Sequence, residues 1–134
     1  MAIRVTFPGG RRVDADFDGE LIRTDQSKLS GGDGSAPAPF RLFLASIGTC
    51  AGIYILSFCQ ERNLPTDGIE LIQQQEYDES GRRLAKITIT INVPPDFPQK
   101  YHRALVHAAN LCTVKKAIVD PPGFEVETSV RAQE

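Results

Sequence analysis

Three cysteines, Cys50, Cys59 and Cys112, hold most of the reactive chemistry in this sequence. A thiolate is a nucleophile and a two-electron reductant, whereas a buried thiol packs as a small hydrophobe, so the setting of each sulfur decides its use. Cys50 sits in Gly48-Thr49-Cys50-Ala51-Gly52, midway along an uncharged run from Leu42 to Cys59. In a helix, each flanking glycine costs about 1 kcal/mol relative to alanine, which predicts that they serve close packing or access at Cys50. Packing as a small core residue is the alternative for Cys50 and the expectation for Cys59. Nine residues at about 100° each put Cys59 on the opposite helix face, so these two cannot bridge within one helix.

Cys112 follows Asn110, a residue suited to cap a helix running through Val114 and Ile118. That cap would place Cys112 at the second helical position, where the helix dipole together with Lys115 and Lys116 favours a thiolate and predicts a lowered pKa. A packed thiol at a capped helix is the competing reading. Metal binding is not expected. His102 and His107 are five residues apart, as are His107 and Cys112, whereas helical ligand pairs are spaced by three or four, and no Cys-x-x-Cys or His-Glu-x-x-His occurs. The histidines read as surface residues of an amphipathic helix. Asp14, Asp16, Asp78 and Glu79 stand where solvated strand and turn charges belong, and no serine lies in a nucleophile-elbow pattern.

Several elements must position these groups. Apolar residues alternate from Ile3 to Phe7 and again at Val13, Ala15 and Phe17, with turn signals at Gly9-Gly10 and Asp18-Gly19, so residues 1–26 read as a three-stranded antiparallel meander. One of its faces should be apolar. Residues 27–39 form a Gly/Pro loop without the Gly-Lys-Ser/Thr ending of a phosphate-binding loop. A helix then spans 39–63, starting at Pro39, whose missing N–H suits a first helical turn. Its uncharged run would reach only about 27 Å, the bare minimum for a bilayer, and is diluted by Ser46, Gly48, Thr49, Gly52 and Ser57. It reads as a helix buried on nearly all sides, which a chain this small achieves with a partner subunit, so a homodimer is expected and a membrane is not. A hairpin follows over 67–94, its second strand marked by Ile87, Ile89, Ile91 and Val93 and ended by Pro94-Pro95. Two short helices meeting at a kink fill 98–120, and the alternation Phe124, Val126, Thr128, Val130 predicts a terminal strand over 123–131. The order is βββ-α-ββ-αα-β, an α+β class.

The 134 residues suffice for one domain, spanning 1–134, and composition is that of a folded chain, 41% hydrophobic and 24% charged. Fifteen basic against seventeen acidic side chains leave no positive surplus for nucleic acid. An odd cysteine count and an N-terminus without a continuous apolar stretch point to a reducing, cytoplasmic setting.

The loop Gly31-Gly32-Asp33-Gly34, then Pro37-Ala38-Pro39, then Leu42-Phe43-Leu44-Ala45-Ser46-Ile47-Gly48-Thr49-Cys50, and far downstream Cys112-Thr113-Val114, resemble the OsmC/Ohr family of osmotically inducible and organic hydroperoxide resistance proteins. The likeness covers essentially the whole chain and is closest to a divergent OsmC-like branch. It implies an intertwined homodimer around long central helices, acting in oxidative stress defence as a cysteine-based peroxidase. Cys50 would attack the peroxide and become a sulfenic acid, Cys112 would condense with it to a disulfide, and an external dithiol would reduce the pair, with no cofactor. The family's arginine from the partner's N-terminal hairpin corresponds to Arg11 or Arg12. Its glutamate shortly before the first cysteine is absent, Phe40 following Pro39 directly and Arg41 coming next. Phe40, Phe43 and Tyr54 would wall an apolar pocket favouring organic hydroperoxides. The alternative is a non-catalytic OsmC-like protein binding a small apolar or thiol-reactive ligand in the interface cleft, for which the missing glutamate speaks and the paired cysteines do not.

Overall fold

The computed structural model describes residues 1–132. The chain divides into two compact units, Met1–Thr49 and Cys50–Glu134. In the first, β1 (Ile3–Gly9), β2 (Arg12–Phe17) and β3 (Glu20–Thr24) form an antiparallel sheet in that order, with Val5 opposite Ala15 and Ala15 opposite Ile22. The β2–β3 turn holds Asp18 and Gly19 at φ 53° and 100°, the pair of positive angles that a two-residue hairpin of matching twist demands. The apolar positions of β1 lie open, with Phe7 81% exposed.

After β3 the chain is pinned by Asp25. Its carboxylate is fully buried and accepts from the Ser35 hydroxyl at 2.5 Å, the Ser35 amide at 3.0 Å and the Gln26 amide at 2.7 Å. These bonds fold the Gly/Pro loop back on its own entry point, and the Asp25 amide donates to the Pro37 carbonyl at 3.3 Å. Gly32 lies so close that a Cβ there would stand 2.1 Å from the Gln26 carbonyl oxygen, so no other residue fits without moving backbone.

Helix α1 runs Pro39–Glu61 and contributes to both units. Its burial follows one stripe, Ile47, Ala51, Ile55 and Cys59, at four-residue intervals. The expected burial on nearly all sides is not met within one chain: only 22% of the helix's most apolar window is covered, because one chain supplies neighbours to one face only. Of the two uses expected of the flanking glycines, close packing is not made at Gly52, where a Cβ would meet nothing within 4 Å and the space stands open.

In the second unit, β4 (Glu70–Tyr77) and β5 (Leu84–Asn92) form an antiparallel hairpin. Ile87, Ile89 and Ile91 are half-buried while Thr88 and Thr90 are exposed, as the period of two requires. A 3₁₀ turn at Gln99–Tyr101 leads into α2 (His102–Asn110) and then α3 (Thr113–Val119). Ile55, Cys59, Phe97 and Leu105 make the core, with Phe58, Ile69, Leu71 and Ile91 packed against it. The terminal strand expected over 123–131 is not formed among the described residues. Phe124, Val126 and Val130 are 90%, 95% and 99% exposed, and a strand cannot exist without a ladder partner, whatever its alternation.

Candidate functional site

Cys50 is half-buried on α1, and the bend between α2 and α3 comes up against it. Leu111 closes α2, its amide donating to the carbonyls of Ala108 and Ala109. The chain then extends at Cys112 (φ −47°, ψ 121°) before α3 begins. Cys112 itself caps α3, its Sγ accepting the Lys115 amide at 3.3 Å. This corrects the expectation that Asn110 is the cap: Asn110 is the last residue of α2, and its Oδ1 accepts instead from the Lys115 ammonium at 2.5 Å.

The thiols of Cys50 and Cys112 lie close enough to shift each other's acidity. The amides of Val114 and Thr113 act on Cys50 as well. The Val114 amide is the chief reason its pKa is lowered from the usual thiol value; the Cys112 S–H and the Thr113 amide add to it, and partial burial works against it. Cys112, 1% exposed, is shifted upward, foremost by burial and then by the Cys50 sulfur to which it gives its proton; the Lys115 and Val114 amides pull the other way. The expected lowering at Cys112 is therefore reversed. The amides of Thr113 and Val114 favour a negative sulfur on α1, and Cys112 is buried too deeply to ionise first.

Tyr54, one turn beyond Cys50, places its hydroxyl 2.9 Å from Thr113 Oγ1. Cys59 is wholly buried in the core, and that burial raises its pKa against the pull of Arg62, as a packing role requires. Arg11 and Arg12 lie exposed in the β1–β2 hairpin of the first unit, where with Phe7, Gly10, Val13 and Gln26 they line a cavity of about 300 Å³. The Arg12 Nε donates to the Gly9 carbonyl at 3.3 Å. Phe40 and Phe43, also in the first unit, are exposed and face each other at 5.5 Å. His102 stacks on Phe97 at 5.9 Å, and His107 is exposed. Of the residues singled out from sequence, the structure brings together Cys50 and Cys112, with Tyr54 joined to them through Thr113. Thr113 and the backbone amide of Val114 were not visible in the sequence, since nothing in it specifies which amides an α1 sulfur will meet.

A long helix, a bent helix pair carrying Cys112 against Cys50, and two antiparallel sheets make an α+β domain. The chain belongs to the OsmC-like protein family, whose model matches residues 32–127. That family is linked to osmotic stress and hydroperoxide resistance. The fold is that of an osmotic stress induced and detoxification response protein of Psychrobacter arcticus, at 23% identity, 87% coverage of both chains and a TM-score of 0.68. It is similar also to an organic hydroperoxide resistance protein OsmC of Legionella pneumophila (18% identity, 88% of this chain and 89% of that one, TM-score 0.55). The organic hydroperoxide resistance protein OhrB of Bacillus subtilis matches at 24% identity, over 87% and 90% of the two chains, with a TM-score of 0.51. A search of curated protein sequences found no match.

Proposed function

We propose that this protein reduces organic hydroperoxides with Cys50 as the attacking thiolate and Cys112 as the resolving thiol. The observation that carries this reading is the pairing of two thiols that push each other's acidity in opposite directions, Cys50 down and Cys112 up. Cys50 sulfur attacks one peroxide oxygen and the O–O bond breaks. The alcohol leaves with a proton, and Cys50 becomes a sulfenic acid. Cys112 then gives its proton as its sulfur attacks Cys50; the S–O bond breaks, water leaves and a disulfide forms. An external dithiol returns two electrons and two protons by thiol–disulfide exchange.

The protein acts as a soluble, cytoplasmic homodimer. The uncovered faces of α1 and the open apolar residues of β1 support a second copy as their cover. In such a dimer Arg11 or Arg12 of the partner would complement the Cys50 thiolate, and Phe40, Phe43 and Tyr54 would contribute apolar walls. The second reading, a non-catalytic binder of a small apolar or thiol-reactive ligand, is favoured by Phe40 and Arg41 standing where the family places a glutamate.

Turnover of cumene hydroperoxide with a dithiol reductant tests the assignment. Turnover should vanish in Cys50→Ser, while Cys112→Ser should complete a single oxidation per chain. Wild-type protein that consumes no hydroperoxide with any dithiol, yet retains an apolar ligand, would establish the binder instead.

A further inference from the structure

Tyr54 takes no part in the redox sequence above beyond its ring, yet its hydroxyl has a partner of its own. It meets Thr113 Oγ1 at 2.9 Å, and Thr113 and Val114 are the residues whose amides favour the negative form of Cys50. Cys50 and Tyr54 are four residues apart on α1, so they project from one helix face one turn apart. A single helix face thus holds residues 113–114 twice, once through sulfur and once through oxygen. Thr113 is exposed, α3 spans seven residues, and the side chain that caps it is a sulfur, a weak acceptor at 3.3 Å.

We propose that Tyr54 is a positioning residue for Cys50, its hydroxyl holding Thr113 so that the amides of Thr113 and Val114 stay on the Cys50 sulfur. Amide hydrogen bonds to a thiolate weaken steeply with misalignment, so releasing one tether lets the segment drift and leaves the charge less supported. The titratable groups beside Cys50 are Cys112, which shares its proton, and Tyr54 itself; the Lys115 ammonium is engaged by Asn110. This inference rests on the reading of Cys50 as a thiolate.

The test is the pH profile of iodoacetamide alkylation at Cys50, followed by peptide mass spectrometry so that Cys59 and Cys112 are counted separately. Tyr54→Phe should slow Cys50 alkylation at pH 7 by about 3–10-fold and move the midpoint upward. Thr113→Val should do the same, Thr113→Ser should restore the wild-type profile, and the double variant Tyr54→Phe/Thr113→Val should be no slower than either single one, because both remove one bond. Should Tyr54→Phe fold poorly, the Thr113 pair carries the same comparison. A low wild-type midpoint left unmoved by both Tyr54→Phe and Thr113→Val overturns the role of Tyr54 alone, as do effects of the two changes that add. A wild-type midpoint at the ordinary thiol value overturns the thiolate reading of Cys50 and this proposal with it.

Discussion

Cys112 has two duties that substitution can separate. Its sulfur caps α3 through the Lys115 amide, and its S–H supports Cys50. Cys112→Ala removes the cap and leaves a small void at a position 1% exposed. Cap loss costs roughly 0.5–1 kcal/mol for a weak acceptor and the void about another 1 kcal/mol, together near 1–2 kcal/mol. For a chain of this size that is a fall of about 4–7 °C in Tm. Cys112→Ser supplies a better cap but leaves no second sulfur, so it should melt nearer to wild type than the alanine variant does. In both variants, stoichiometric hydroperoxide should leave a sulfenic acid on Cys50 that dimedone traps, where wild-type protein forms the disulfide. Calorimetry and mass spectrometry read the two effects independently. Equal melting of the serine, alanine and wild-type proteins would refute the capping argument. Failure of dimedone to label Cys50 in either variant would refute the order of attack.

Asp25 titrates at about 2 in the folded chain against its ordinary 3.8, chiefly because the Ser35 hydroxyl and amide bind the carboxylate. A depressed carboxyl stabilises above the unfolded value and ceases to as pH falls through the folded one, so thermal melts should lose stability between about pH 4 and 2. Asp25→Asn should flatten that dependence and lower Tm at pH 7 by on the order of 5 °C. Gly32→Ala should cost roughly 2–3 kcal/mol in urea titration, because the new methyl meets backbone rather than a movable side chain. Cys59→Ala should lower Tm by a few degrees through its small cavity yet leave hydroperoxide turnover per folded chain unchanged.

Much of the fold was legible because alternation and charge spacing are local. The period of two in Ile87, Ile89 and Ile91 became β5, and the uncharged run from Leu42 to Cys59 became most of α1. The strand expected at Phe124–Val130 obeyed the same rule and failed, since pairing needs a second strand that periodicity cannot supply. The site was half legible. The cysteines could be named, but their acidities depended on which element buried which sulfur. Asn110 had the right chemistry for a cap and sat two residues too early, where α2 still claimed it. Asp25 was missed because its meaning depends on Ser35 folding back across ten residues, although an acid before a Gly- and Ser-rich loop is a recognisable invitation to such a bond.

The Gly/Pro loop is tied at its two ends by one carboxylate, and this bears on how the chain can be altered. Insertions between Ser27 and Asp33 must pass around Gly32, whose backbone is wedged against Gln26, whereas residues beyond Pro37 are already committed to α1. A peptide tag or cysteine label placed in this stretch would therefore report on the integrity of the N-terminal half rather than sit there as a silent passenger.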